Sequence, residues 1–462
     1  MSSYPGVYVF EKSGLSLGAA GMSGLVPLLV GRFFRKNDGS EVTLEDGLAQ
    51  IVNWSEFAEA FLSTPLKVTL TENGELPTPL IKKSRKEKVN DGAASGDPDI
   101  DPVSDPEEPL VLTTEHVNSG ALALLNYFNN GGGPCYLLSV GEDDKPSDIA
   151  SQIEEYNELS LLAVIDAKDD NLYDMNKSLD TFITQNKQSF LLASMSDTSA
   201  KNSYTNKTHV ALYTPDLKLT SSPKLYEDGI FISYGSDPTL TSMTMLKVGT
   251  PAEQAVYNTV KTALGKNGVD YAAVQNPVIS PVAAAAGAYC MTERSRGIWK
   301  APANVKLVGA TPVRAIGKTE HGELNAQGFN AIIWQPSSNS TVIMGARTRE
   351  DVSKTAWRYV SVRLLFNTVE RDVRNMLSPV VFEPNSASTR QSVTAAINNY
   401  LYKLWKQGGL YGTTPDSAFR VELALEGDDI ANGILRVRVG LSALKPQEFI
   451  YLEFTQDMPA VA

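Results

Sequence analysis

A multidomain protein of the α/β (α+β) class, built on a largely parallel sheet, is what this sequence predicts. Between residues 120 and 213, helix-like and strand-like segments alternate, which is the chain order that feeds a parallel sheet. Farther on, two long amphipathic stretches at residues 355–376 and 389–406 precede a run of β-prone segments, so helices and strands also segregate. The 462 residues provide for about two to four domains.

Taken in order, the first element is a short strand at residues 4–10, entered through the Pro5-Gly6 turn. Residues 13–24, rich in Gly, Ser and Ala and without period, read as a pliable tether. A terminal strand cut off from the body in this way must pair with a sheet elsewhere. Globular patterning begins at Leu25, with a helix opening around Asn53-Trp54. Residues 71–108 interrupt it: apolar residues are sparse, Pro is frequent, and a Lys82-Lys83-Ser84-Arg85-Lys86 run precedes acidic Pro-rich stretches. No core can form there, so the segment reads as a surface insertion.

Order returns with an amphipathic helix at 120–130, ended by Asn129-Asn130-Gly131-Gly132-Gly133-Pro134, where glycine supplies the left-handed geometry beyond a helix end. A strand at 135–140 follows. Helices are then expected at 149–159, 179–185 and 251–264, and strands at 161–165, 190–193 and 210–213. Gly408-Gly409 stops the helix at 389–406, and strands at 419–425, 434–441 and 449–454 close the chain.

Composition excludes several functions. A net charge of −12 argues against nucleic acid or an anionic membrane as the partner of the whole chain. Two cysteines, Cys135 and Cys290, are too few for a secreted disulfide scaffold and fit folding in a reducing cytoplasm. The start has no basic region followed by an apolar run, so no signal peptide is expected. The longest small and apolar stretch, residues 278–291, contains Pro281 and is too short to span a bilayer. Charge is uneven, however. Residues 288–412 carry 16 Lys/Arg against 8 Asp/Glu, which suggests a basic face for an acidic partner.

The catalytic motifs fail individually. Gly14-Leu15-Ser16-Leu17-Gly18 matches a nucleophile elbow as a string, but a Gly/Ala-rich tether follows where the elbow needs a strand-to-helix turn. Gly317-Lys318-Thr319 resembles the end of a phosphate-binding loop, yet Pro312 stands where the leading glycine belongs and removes an N–H. His116, His209 and His321 are far apart and in no metal-ligand spacing. Acidic turns at 142–144 and 428–429 lack the spacing of a calcium loop. No cofactor, metal site or catalytic constellation is expected.

Several stretches, in order along most of the chain, are similar to contractile tail sheath proteins. They are the Tyr-Pro-Gly-Val opening and the Gly131, Gly132, Gly133 turn with its Cys-Tyr-Leu-Leu-Ser-Val-Gly ending. After them come His209 to Pro215, the Pro-Val-Ala-Ala-Ala-Ala-Gly run from Pro281, and the segment holding Arg296, Gly297, Trp299 and Pro302. Asn325, Gly328 and Asn330 follow, then Arg347, the Phe-Glu-Pro-Asn stretch with Pro384, Trp405 with Gly408, and Pro446-Gln447-Glu448-Phe449-Ile450. The Cys-Tyr-x-x-Ser-Val-Gly ending leans towards extracellular injection particles over phage virion tails. An unrelated α/β enzyme is the competing class.

The resemblance implies a division of the chain. Residues 1–24 would be an arm and linker, 25–250 an outer α/β domain, 251–445 an inner C-terminal domain and 446–462 a second arm. It implies no enzyme but a structural subunit, made in the bacterial cytoplasm, that stacks as six-membered rings round an inner tube and contracts. Its partners would be other sheath subunits or paralogues, the tube protein, and baseplate and terminal cap proteins, with no nucleic acid and no membrane insertion. Val7, Tyr8, Val9 and Phe10, and Phe449, Ile450, Tyr451, Leu452 and Phe454, would be strands donated to neighbouring inner domains. Together with the basic excess it makes Arg371, Arg374, Arg390, Lys403 and Lys406 candidates to face an acidic tube.

Overall fold

The computed structural model describes residues 23–448, apart from 38, 63–65, 73–109, 117–119, 168–170, 195–202, 222–226, 235–236, 265–276, 352, 385, 425–428 and 430–433. Both expected arms, the Gly14–Gly18 string and most of the expected insertion therefore lie outside the described residues.

The centre is a nine-stranded sheet. Its parallel part runs, in spatial order, Phe329–Gln335, Val210–Thr214, Phe190–Ser194, Leu161–Val164, Pro27–Gly31 and Cys135–Ser139. Antiparallel strands finish both edges: Leu48–Ile51 beside Cys135–Ser139, and Ser340–Met344 then Val305–Leu307 beyond Phe329–Gln335. The strands are apolar on successive residues because both faces are covered. On one face, Leu28, Val30, Leu162, Val164 and Leu212 pack under the helix Asn171–Gln185. On the other, Leu29, Leu161, Ala163, Leu192 and Tyr213 pack under Gly120–Asn129 and Pro281–Arg296.

The expected parallel sheet is thus present, and the sequence underestimated its extent. Strands 305–307, 329–335 and 340–344 join it from beyond residue 250, so one sheet spans both the outer and the inner segment of the expected division. The helix expected at 149–159 is only Ile149–Gln152, continued as turns. Glu154, Glu155 and Glu158 would crowd its C-terminal end, where the helix dipole disfavours negative charge.

A second, four-stranded sheet has the order Asp237–Ser242, Ile230–Tyr234, Leu66–Glu72, Leu110–His116, with Met243–Val248 and Pro251–Leu264 packed on it. Residues 66–72 and 110–116 pair antiparallel with Glu72 opposite Leu110, so the expected insertion stands on the ends of a hairpin. A three-stranded sheet joins Leu217–Leu219 to Val278–Ile279 and Ala310–Pro312.

The C-terminal part is the long pair Val360–Leu377 and Ala387–Lys406, followed by the hairpin Phe419–Ala424 with Arg436–Leu441. Ser386 caps the second helix, its Oγ accepting the Thr389 N–H at 3.1 Å. The apolar stripe of the first helix is Val360, Leu364, Leu365, Val369 and Val373, all buried in the core shared with Val393, Ile397, Tyr400, Leu401 and Leu404.

Candidate functional site

The described residues begin at Ser23 and end at Glu448, and each of these two residues is held by a buried polar cluster. At the first, the Ser23 N–H and hydroxyl both donate to the Asp372 carboxylate, at 3.2 and 2.5 Å. Arg371 Nη2 donates to the Ser23 and Gly24 carbonyls at 3.3 Å, and the Tyr400 hydroxyl donates to Asp372 Oδ2 at 2.8 Å. Burial lowers the pKa of Arg371, with Asp372, Tyr400 and Glu293 opposing, and Tyr400 is pushed up by its own burial and by Asp372. Glu293 is raised by desolvation against Arg294, Arg371 and a bond from the Leu25 backbone. Three consecutive residues, Ser23 to Leu25, are thereby held by side chains from two helices, and Tyr400 from a third braces Asp372.

At the other end, Arg347 grips Glu448 with two parallel bonds, Nε to Oε1 at 2.8 Å and Nη2 to Oε2 at 2.7 Å. Asn325 Nδ2 donates to Oε1 at 2.9 Å and the Tyr359 hydroxyl to Oε2 at 3.0 Å. Burial on its own would raise the Glu448 pKa, but the bonds from Arg347, Asn325 and Tyr359 outweigh it and hold it below the ordinary value. Arg347 is itself oriented: its Nη1 donates to the Asn325 carbonyl at 2.7 Å and its backbone N–H to Asn330 Oδ1 at 2.7 Å. Asn330 Nδ2 then donates to the carbonyls of Leu212, at 3.1 Å, and Arg347, at 2.9 Å. Two-pronged guanidinium–carboxylate pairs of this kind are geometrically specific.

The residues singled out in the sequence fall into distinct groups. Val7, Tyr8, Val9 and Phe10, and Phe449 to Phe454, lie outside the described residues. Asn325, Asn330 and Arg347 meet in the Glu448 cluster. Gly131, Gly328 and Gly408 share one task, positive φ just past a helix end. Two of those ends are complete Schellman closures: Gly132 N–H to Tyr127 O at 2.9 Å with Gly131 N–H to Phe128 O at 3.0 Å, and Gly409 N–H to Leu404 O at 3.0 Å with Gly408 N–H to Trp405 O at 2.9 Å. Gly132 has no room for a side chain beside the Tyr127 ring, whose hydroxyl donates to the Gly133 carbonyl at 2.9 Å. Gly297, at positive φ, makes room for the Trp299 ring. Pro302 is buried, Arg296 and Pro384 are exposed, and Trp405 Nε1 donates to the Gly412 carbonyl at 2.8 Å.

The basic candidates divide. Lys403 and Lys406 are exposed, Lys406 lying over the Trp405 and Tyr402 rings at 4.8 and 5.4 Å; Arg390 and Arg374 are half-buried. Arg371 is a correction: only 4% of it is exposed, and it faces the chain's own Ser23 root instead of an outside partner. The basic excess of residues 288–412 is likewise partly internal. Arg347 and Arg363 are buried and paired with Glu448 and Glu370, because counting charge along a chain does not say which way a side chain turns.

The sequence reading missed Ser23, Asp372 and Tyr400, took Glu293 and Glu448 only as parts of motifs, and took Tyr359 only as one residue of a helix stripe. Their spacings carry no signal, since each cluster joins residues more than 80 positions apart. Both cysteines are free and buried, and desolvation pushes Cys290 up to about 11 and Cys135 higher. His209 is buried and driven down to about 2 by desolvation with Arg363 and Lys187 nearby, whereas His321 Nε2 bonds the Met344 carbonyl at 2.9 Å. No group of metal-ligating side chains is found among the described residues.

Residues 352–457 match the phage tail sheath C-terminal domain. The described body has the fold of injection-particle sheaths. The chain is 28% identical to a chain of the anti-feeding prophage (AFP) helical sheath in the contracted state, covering 99% of this chain and 100% of that one, with a TM-score of 0.65. The same values hold for a chain of the six-fold symmetrised AFP baseplate. The contracted PVC sheath complex of an extracellular contractile injection system is 27% identical over 99% of this chain and 98% of that one, with a TM-score of 0.61. No curated protein sequence matches the chain.

Proposed function

We propose that this chain is the sheath subunit of an extracellular contractile injection particle. It polymerises as stacked six-membered rings around an inner tube, and contracts from a metastable extended state to drive the tube through a target envelope. The observation that carries this is end-to-end similarity to AFP and PVC sheath chains. The family points to a structural role, not a catalytic one. Work would be stored as a free-energy difference between two packings of the same subunits.

The hairpin Phe419–Ala424 with Arg436–Leu441 supports the strand-donation part. It forms a sheet of only two strands among the described residues, and such a ribbon is marginal by itself. Strands from the arms of neighbouring subunits, residues 7–10 and 449–454, would complete it. The long helix pair and the hairpin would then face inward, with Arg390, Lys403 and Lys406 on the remaining basic face towards an acidic tube. Baseplate and cap proteins would close the two ends. The subunit is made in the cytoplasm and works within the particle; no helix of the described residues is long and apolar enough to cross a membrane.

Deleting residues 1–21 tests the reading. The product is expected to be a folded monomer, by circular dichroism, that forms no sheath in electron micrographs. Normal sheaths from the truncated chain would overturn strand donation. Charge reversal at Arg390, Lys403 and Lys406 is expected to abolish sheath–tube co-assembly, and undiminished co-assembly would remove that helix as the contact.

A further inference from the structure

One helix holds both Ser23 and Glu448. Tyr359, the N-cap of Val360–Leu377, bonds Glu448, while Arg371 and Asp372 near its other end bond Ser23 and Gly24. Positions 359 and 372 are about 20 Å apart along the helix axis. Arg347 is also bridged to Tyr359, and the Val360 N–H donates to the Ala346 carbonyl at 3.0 Å, so the Glu448 grip is tied into the start of the same helix. We infer that Val360–Leu377 is a tension strut linking the two arm roots within one subunit. This rests on the reading that the arms engage neighbours.

The alternative route for tension shows why a strut matters. Ser23 lies four residues before Pro27, where the chain enters a central strand of the nine-stranded sheet. Without an anchor at Ser23, a pull on the N-terminal arm would be applied straight to that strand, whose Leu28, Leu29 and Val30 are fully buried. The Asp372–Arg371 cluster intercepts the pull before it reaches the core. The helix is suited to carry it onward: Arg363, fully buried, stacks 4.3 Å from the Trp357 ring and bonds Asn367 and Glu370, which locks the strut's first turns in place. A pull on either arm of one subunit is thereby passed to the other arm, and so along the chain of neighbours, while the strand Pro27–Gly31 is shielded from it.

The test is single-molecule pulling on the full chain, with handles at its two termini, under constant tension. Asp372→Asn and Glu448→Gln each remove a charged acceptor and are expected to shorten the lifetime of the intact chain roughly tenfold. The same variants pulled through handles at the exposed Glu142 and Val248 are expected to match the parent. Ser23→Ala and Tyr359→Phe, each deleting a single bond, are expected to give a smaller effect in the same direction and serve if the stronger variants do not fold. Unchanged lifetimes between the termini, or equal shortening along both pulling directions, would overturn the strut. Failure of strand donation itself is read separately, as normal sheaths from the chain lacking residues 1–21.

Discussion

Gly287 separates two physical effects that act in opposite directions. It lies within the helix Pro281–Arg296, where replacing glycine by alanine gains about 0.8–1 kcal/mol of helix propensity. A Cβ built there, however, would stand 2.4 Å from the Tyr127 carbonyl oxygen and 3.2 Å from Asn130 Cβ. An ordinary carbon–oxygen contact needs roughly 0.8 Å more, by the spacing of optimal non-bonded contacts. The obstructing atom is backbone, so no side chain can swing aside. The helix Gly120–Asn129 must shift, and with it the Asn126 and Asn130 bonds to Val308, at 3.1 and 2.8 Å, that seat the Gly131 turn. Overpacking of this kind costs about 1–3 kcal/mol, which cancels the propensity gain and leaves Gly287→Ala between neutral and about 2 kcal/mol destabilising. Gly322 is the control: it lies in the helix Lys318–Ala326 with nothing within 4 Å of a built Cβ, so Gly322→Ala should stabilise by about 1 kcal/mol. Urea unfolding of the two variants, read as shifts in midpoint at constant slope, makes the comparison. If Gly287→Ala were as stabilising as Gly322→Ala, the close-approach argument would be wrong.

Three further outcomes are expected. The lowered pKa of Glu448 means that its cluster contributes stability above the ordinary carboxyl value of 4.5 and loses it as pH falls through the lower folded-state value. The stability gap between the parent chain and Glu448→Gln should therefore close in acid, and a gap unchanged at about pH 3 would contradict the assignment. Replacing residues 73–109 by a short Gly/Ser turn should leave the four-stranded sheet and sheath assembly intact, since Glu72 and Leu110 are already paired; loss of folding, seen by circular dichroism, would make the segment structural. Arg363→Ala should cost about 3 kcal/mol in urea unfolding by removing the buried guanidinium that faces Glu370, and adding Glu370→Gln should recover part of that loss; strictly additive losses would show that the pair is not coupled.

Much of the architecture was legible in local pattern. The alternation between residues 120 and 213 gave the parallel sheet, because a strand buried on both faces must be apolar on successive residues and a helix must show its own period. The Gly131 and Gly408 stops were legible for a similarly local reason: left-handed backbone favours glycine, and both positions show it. The order of short motifs was enough to place the chain near contractile sheath proteins. Strands 305–307, 329–335 and 340–344 were less visible, being short or interrupted by polar residues such as Asn330 and Gln335, and their place in the sheet depends on partners far away in sequence. The four-stranded sheet was hidden for the same reason, its paired strands Leu66–Glu72 and Leu110–His116 being separated by residues 73–109.

Chain order alone therefore settles whatever depends on neighbours within a few residues: helix and strand periods, glycine stops, and the family signature those features compose. The direction each charge faces is settled only on folding. Arg371, Arg390 and Lys403 are alike as basic residues on amphipathic helices, yet one is sealed against Ser23, one is half-buried and one is exposed. Glu448 and Asp372 become anchors only because folding brings Arg347, Tyr359, Ser23 and Tyr400 to them. The difference is one of range: helix and turn propensities act over a few residues, whereas the desolvation and pairing of a buried charge are set by groups that the folded chain alone brings together.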